Sequence, residues 1–356
     1  MDLRKLLRED IDDLEEYVPV KPLDVLAREI GLPIEQLVKL DANENLYGPH
    51  EAVLDAIRNA SFHIYPDPGQ AALRESIAGY VGVASENIVA GTGADDLLDI
   101  LIRLTMPRAI AIPTPTFGMY RFLAKVSRAN PIEVPRRPNF DLDVVAIGHA
   151  VQQGAGIVFL TSPNNPTGNP VNRAELEAIC ALDTLVVVDE AYIEFGGETV
   201  VPMIADHPNL VVLRTFSKWA GLAGLRVGYS VSHPDLAAHM MSLKQPYNVN
   251  VAADAGARAA IAHFAEIKET IASIVAERDR MAGLCAELGW LAPLPSQANF
   301  VLFAVDGRNA ADVASSLRAK GVLVRYYNRP DLANFIRISA GRPEDTDRLL
   351  AALRAI

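Results

Sequence analysis

The 356-residue chain is 50% hydrophobic and carries a formal net charge of -11, with a pI near 5.2. This length predicts two domains with a substantial core, and the acidic balance argues against nucleic-acid binding because no basic stripe is available to displace counterions from phosphates. No apolar run reaches the length of a membrane span, and the N-terminus alternates charge with leucine instead of forming a signal peptide. We therefore expect a cytoplasmic protein that handles small molecules.

The first part of the chain predicts helices joined by turn-rich segments. Residues 2–16 can form a charged helix, two prolines then give an extended arm that includes Tyr17, and a second helix ends at Gly31. The polar segment around Asn43 is typical of turn chemistry, although it could also line a site. Tyr65 lies in a further turn-rich loop, and its role is ambiguous from the local sequence.

From residue 85 onward, short apolar strands alternate with helices. The predicted strands are 87–90, 109–112, 156–160, 184–188 and 210–213. This alternation is typical of an α/β domain with a mainly parallel sheet, in which sites lie at the carboxyl ends of the strands. The residues that follow each strand are therefore the places to look for chemistry.

The first two strand ends offer an anion site and an aromatic ring. A Gly-Thr-Gly loop opens a helix at Ala94 and Asp95, where free amides and the positive end of the helix dipole can hold a phosphate. The loop lacks the third glycine of a dinucleotide fingerprint, so the signal is weak alone. Phe117 follows the next strand and could stack on a planar ring or simply pack in the core.

The next two strand ends carry an amide, an acid and a phenol. Asn165 lies in a rigid turn between prolines, and Asp189 ends an almost wholly apolar strand. An acid in that position is costly to bury without a partner, and a protonated pyridine nitrogen would be one. Tyr192 could reach the same ring from one side.

The last of these strand ends is the most informative stretch of the sequence. Lys218 supplies an amine that can condense with an aldehyde, while Ser217 and Arg226 can hold a phosphate. Pyridoxal 5'-phosphate (PLP) is an aldehyde that carries a phosphate. Taken alone, the segment is also compatible with a solvated surface lysine and a paired arginine.

The remaining sequence predicts a smaller α+β domain with the N-terminal segment folded against it. A long alanine-rich helix is expected from about 251 to 288, followed by strands and helices to the C-terminus. Two strands carry Arg325 and Arg337, and an arginine flanked by apolar residues is expensive without an anion. We expect an N-terminal arm with part of the small domain (1–45), a large domain (46–250) and a small C-terminal domain with an interdomain helix (251–356).

Together these groups match every functional edge of PLP, and the chain resembles the fold-type-I PLP-dependent aminotransferases. It is most similar to the histidinol-phosphate aminotransferase branch of class II, from about Tyr17 to the C-terminus. The resemblance implies an α/β fold with a large, mainly parallel sheet flanked by helices, plus a smaller α+β domain. It also implies PLP as cofactor and a homodimer.

The resemblance assigns a role to each matching residue. Lys218 is the catalytic lysine, and Arg325 and Arg337 contact the substrate phosphate. Tyr17 and Asn43 shape the substrate pocket, and Tyr65 reaches the cofactor phosphate of the other subunit. The matching cofactor-binding residues are Ala94, Asp95, Phe117, Asn165, Asp189, Tyr192, Ser217 and Arg226.

The implied reaction is L-histidinol phosphate plus 2-oxoglutarate giving imidazole-acetol phosphate plus L-glutamate, in histidine biosynthesis. Three alternatives stay open: an aromatic aminotransferase that uses Arg337 on a carboxylate, a threonine-phosphate decarboxylase on the same scaffold, and a non-catalytic PLP-fold binding module. Phe117 departs from the tyrosine that is frequent at its position, and Val20 and Arg342 depart from the common pattern at positions that could alter substrate preference.

Overall fold

The computed structural model describes residues 1, 3–14, 17 and 19–356. The helices are α1 Leu23–Ile30, α2 Glu51–Arg58, α3 Ala71–Val81, α4 Ala94–Thr105, α5 Met119–Val126, α6 Val144–Gln152, α7 Arg173–Cys180, α8 Pro234–Leu243, α9 Val251–Ala262, α10 Phe264–Ala286, α11 Ala310–Ala319 and α12 Pro343–Arg354. The strands are β1 Val38–Lys39, β2 Ile88–Gly91, β3 Ala109–Thr114, β4 Asn130–Pro135, β5 Ala155–Thr161, β6 Leu185–Asp189, β7 Leu210–Thr215, β8 Gly228–Val231, β9 Leu291–Pro293, β10 Phe300–Val305, β11 Val322–Leu323, β12 Arg325–Tyr326 and β13 Phe335–Ser339.

The largest sheet in the described residues has seven strands. Its strand order is β2-β8-β7-β6-β5-β3-β4, and only β8 runs antiparallel to its neighbours. Its central strands are apolar along their length because helices cover both faces of the sheet. The mainly parallel α/β sheet predicted from the sequence is confirmed, and the carboxyl ends of β3, β5, β6 and β7 meet along one edge.

A second sheet lies in the C-terminal part of the chain. It has four antiparallel strands in the order β12-β13-β10-β9, with a core of its own that includes Phe303 and Ile336. The N-terminal strand β1 pairs in parallel with β11, so Val38 lies opposite Val322. The N-terminal segment is therefore fastened to the C-terminal part, while the domain boundaries at 45/46 and 250/251 stay predictions.

The predicted N-terminal helix is wrong. Within residues 3–14 the structure has only two short 3-10 turns, Leu3–Leu6 and Ile11–Asp13. Leu3 and Leu6 are exposed, so the segment lacks the packed apolar face that normally stabilises a short helix. Asp2, Glu15 and Glu16, which also belong to the predicted helix, lie outside the described residues.

The single helix predicted from 251 to 288 is two helices. His263 separates α9 from α10, with φ -106° and ψ 26°, outside the helical region. Its ring stacks on His50, with centroids 5.5 Å apart. Alanine-rich periodicity continues through this point, which is why the sequence did not indicate the break.

Three further features concern membrane spans, metal clusters and cysteines in the described residues. No helix in the described residues is long and apolar enough to cross a membrane. Across the same residues, histidine, cysteine and acidic side chains form no cluster suited to a metal ion. Both cysteines, Cys180 and Cys285, are buried free thiols.

Candidate active site

One cavity of about 390 Å³ lies at the carboxyl ends of the parallel strands, between the two sheets. All of the site residues predicted from the sequence line it except Tyr65: Tyr17, Asn43, Ala94, Asp95, Phe117, Asn165, Asp189, Tyr192, Ser217, Lys218, Arg226, Arg325 and Arg337. Tyr65 is 79% exposed and stacks on Tyr247, with ring centroids 4.6 Å apart. In this chain Tyr65 therefore lies on the surface rather than in the wall of the cavity.

Lys218 enters the cavity from the loop that follows β7. Its Nζ donates to the carbonyl oxygen of Ala42 at 3.2 Å and lies 5.9 Å from the centroid of the Tyr192 ring. Burial, reinforced by the charge of Arg337, lowers the pKa of this lysine to about 8. A much larger fraction of the amine is therefore neutral at physiological pH than for an exposed lysine, which suits a nucleophile or a base.

An anion cradle is built at the start of α4. Gly93 precedes this helix with a φ of +78°, and a Cβ there would approach Nη2 of Arg226 to 2.6 Å, so only glycine leaves the guanidinium in place. Nη2 of Arg226 lies 3.1 Å from Oδ2 of Asp95. The helix N-terminus, Arg226 and the nearby hydroxyl of Ser217 together favour a phosphate, with Asp95 orienting the arginine from one side.

A buried acid lies at the base of the cavity. Asp189 is 5% exposed, its Oδ1 accepts from the amide of Ala191 at 3.0 Å, and its Oδ2 accepts from the hydroxyl of Tyr120 at 2.8 Å. Burial raises the pKa of Asp189 to about 6 in spite of both hydrogen bonds. A cationic partner in the cavity would stabilise the ionised form of this carboxylate.

The side-chain amides of Asn43 and Asn165 each bond to a neighbouring side chain and leave a proton available to a ligand in the cavity. Asn43 donates from Nδ2 to the phenolic oxygen of Tyr192 at 3.0 Å, which leaves the proton of Tyr192 available for another acceptor. Asn165 accepts on Oδ1 from Nη1 of Arg337 at 2.7 Å, which leaves its own NH₂ group available in the same way. The side-chain oxygen of Asn43 also accepts from Ser339 at 2.9 Å, so this residue is held on both polar atoms.

The opposite end of the cavity is basic. Arg337 is 5% exposed, donates to the carbonyl oxygen of Asp41 at 2.6 Å and has no hydrogen-bond partner for Nε. The ring of Tyr327 lies 5.6 Å from the guanidinium carbon of Arg325 and 5.8 Å from that of Arg337. Within the described part of the chain neither arginine pairs with a carboxylate, so both guanidinium groups are available to an anionic ligand.

The residues present fit PLP. The carboxylate of Asp189 suits a protonated ring nitrogen, Tyr192 and Asn165 suit a phenolic oxygen, and Lys218 suits the aldehyde. The cradle that Gly93 leaves open suits the phosphate. Each of these assignments stays a prediction for the individual residue.

Several cavity residues were missed by the sequence reasoning. They are Asp41, Glu44, Thr161, Tyr327 and Arg329 in the wall, together with Tyr120 behind it. Tyr120 follows Phe117 by three positions across the turn that leads into α5, and this short spacing was the one available signal that the two rings lie close together.

The sequence matches the family described as aminotransferase class I and II over residues 35–353. It is 45% identical to a histidinol-phosphate aminotransferase from Roseiflexus castenholzii, covering 99% of this chain and 98% of that protein. It is 42% identical to a second from Dehalococcoides mccartyi, with the same coverage of both. A histidinol-phosphate aminotransferase structure from Sinorhizobium meliloti, in complex with pyridoxal-5'-phosphate, superposes with a TM-score of 0.87 at 30% identity over 95% of each chain.

Proposed function

This chain belongs to the class I and II aminotransferase family, and we propose that it transfers the amino group of L-histidinol phosphate to 2-oxoglutarate. The products are imidazole-acetol phosphate and L-glutamate, and the pathway is histidine biosynthesis. Support comes from the full-length similarity to proteins named for this activity and from a cavity that fits PLP.

PLP, when bound, supplies an electron sink that stabilises negative charge on the substrate carbon next to the amine. The residues of the chain do the remaining work. Lys218 would hold the cofactor through Nζ and, with Nζ free, would remove the proton from that substrate carbon. Asp189 keeps a proton on the ring nitrogen, and Tyr192 and Asn165 donate to the phenolic oxygen. Arg226 and the start of α4 anchor the phosphate.

The observation that carries the substrate assignment is the pair of arginines without carboxylate partners. A phosphate dianion in the cavity would be neutralised by the two guanidinium groups of Arg325 and Arg337, and Nε of Arg337 has no hydrogen-bond partner within the described residues. A carboxylate carries one charge and would leave a buried cation partly uncompensated. The geometry therefore favours histidinol phosphate over phenylalanine as amino donor.

The active unit is a homodimer in the cytoplasm. Tyr65 supports this assembly because its exposed ring stacks on the exposed Tyr247, and Phe62 and Ile64 on the same loop are also exposed. Exposed aromatic and apolar side chains of this kind are typical of subunit interfaces. In the dimer Tyr65 serves the cofactor phosphate of the partner subunit.

The test compares three amino donors on purified protein loaded with PLP. Histidinol phosphate should give one equivalent of imidazole-acetol phosphate per site without 2-oxoglutarate, and sustained glutamate production once 2-oxoglutarate is added. Faster glutamate production from phenylalanine would indicate an aromatic aminotransferase. Sustained release of carbon dioxide from threonine phosphate without 2-oxoglutarate would indicate a decarboxylase.

A further inference from the structure

A fully buried tyrosine lies directly behind the acid of the active site. Tyr120 is 0% exposed, and its hydroxyl donates to Oδ2 of Asp189 at 2.8 Å. The same oxygen lies 2.8 Å from Oγ1 of Thr161, the last residue of β5. Because the phenol has one proton and gives it to the acid, the threonine hydroxyl is the donor in the second contact.

The phenol is locked in place by its neighbours. The ring of Tyr120 packs edge-on against Phe117, with centroids 5.6 Å apart, and at a tilt of 31° against Phe159, with centroids 5.1 Å apart. Phe117 is the residue proposed to stack on the cofactor. One side chain therefore touches both the acid and the stacking ring, and it lies on α5 rather than on the strand ends that carry them.

The phenol also keeps its proton. Burial, together with the negative charge of Asp189, raises the pKa of Tyr120 well above its usual range. A group that stays protonated is a permanent donor, so the direction of the hydrogen bond to Asp189 does not change in the working pH range. Such a donor stabilises the ionised carboxylate relative to the neutral acid.

We propose that Tyr120, oriented by Thr161, is a positioning residue that keeps Asp189 ionised and thereby holds the proton on the cofactor ring nitrogen. This inference rests on the proposed function, since it acts through the PLP site. Without the phenolic hydroxyl, Asp189 becomes more basic and draws that proton toward itself. The ring then becomes a weaker electron sink, although no group that touches substrate has been altered.

The test uses the full-length protein loaded with PLP labelled with ¹⁵N in the ring. Tyr120→Phe should move the ring ¹⁵N chemical shift toward the unprotonated value and weaken PLP binding by about tenfold or more. Thr161→Val should move the shift in the same direction by a smaller amount. Tyr229→Phe is the matched control, because Tyr229, on β8, is as fully buried as Tyr120 and does not line the cavity.

A cofactor analogue separates this role from simple packing. 1-Deaza-PLP has no ring nitrogen, so Tyr120→Phe should change its affinity by less than about twofold if the phenol acts through Asp189. Equal weakening of PLP and the analogue, or an unchanged ¹⁵N shift in both Tyr120→Phe and Thr161→Val, would overturn the inference. Absence of PLP binding by the unaltered protein would instead overturn the proposed function, and the inference with it.

Discussion

Replacing Asp189 by asparagine removes a charge that the fold buries at a cost. Its pKa rises from 3.8 to about 6 in the folded chain because of burial, so the folded state binds a proton more tightly than the unfolded state. At about 1.4 kcal/mol per pKa unit, the ionised carboxylate lowers the free energy of unfolding of the cofactor-free protein by about 3 kcal/mol at neutral pH. Asp189→Asn should therefore stabilise the cofactor-free protein while it greatly reduces aminotransferase activity.

The sign of the pH dependence makes this prediction specific. For a raised pKa, the contribution of Asp189 to the stability of the wild type falls as pH rises from 3.8 to about 6 and then stays level. The advantage of Asp189→Asn should thus be largest above pH 6 and about half as large near pH 5. Urea unfolding of the cofactor-free proteins at several pH values and one protein concentration measures it, with the exposed Asp183→Asn as control. A variant less stable than the wild type at neutral pH, or an advantage that does not shrink toward pH 5, would refute the burial argument.

Three further predictions follow from the other groups. The rate of PLP capture by the cofactor-free protein, measured by stopped-flow absorbance, should rise with pH to a plateau above about 8, because only the neutral Nζ of Lys218 reacts. A rate that keeps rising toward pH 10.5 would contradict the lowered pKa of this lysine. In steady-state assays, Arg325→Gln should raise the KM for histidinol phosphate by about 10- to 100-fold and leave phenylalanine turnover nearly unchanged. Equal losses of activity with both substrates would argue against a contact between Arg325 and the substrate phosphate. Mixing inactive Tyr65→Ala and Lys218→Ala chains should restore about a quarter of wild-type activity through hybrid dimers, and no recovery would show that Tyr65 does not serve the partner's site.

The strand ends of the large sheet were predictable because each apolar run stops at a glycine, a proline or a polar residue, namely Gly91, Pro113, Thr161, Asp189 and Arg214. Asp189 is the clearest case, since four apolar residues lead directly to a carboxylate. The strand β4 was not predicted, and prolines at positions 131 and 135 explain why: a strand with proline is confined to a sheet edge, where β4 lies. The apolar pattern therefore located five of the seven strands and missed β4 at the edge and β8, the short strand between β2 and β7.

Local sequence patterns did not predict the contacts between residues that are far apart in the chain. The sequence suggested that Asn43 could line a site, but not that its amide donates to Tyr192, 149 positions later. Similarly, nothing near Tyr120 indicates a bond to Asp189, 69 positions away. These pairings depend on how helices and strands pack in three dimensions, which a single sequence read by periodicity does not specify.

Because the N-terminal segment bonds to the C-terminal sheet, the site cannot be completed early in translation. Asn43 and Asp41 bond to Ser339 and Arg337, each 296 positions further along the chain. The large sheet can assemble as soon as β8 has emerged, but β1 and the segment after it have no partners until β11 and β13 have been translated. A nascent chain that stops before β13 therefore lacks the groups that close the cavity over Lys218 and Asp189, and the site is completed only when Arg337 and Ser339 have emerged.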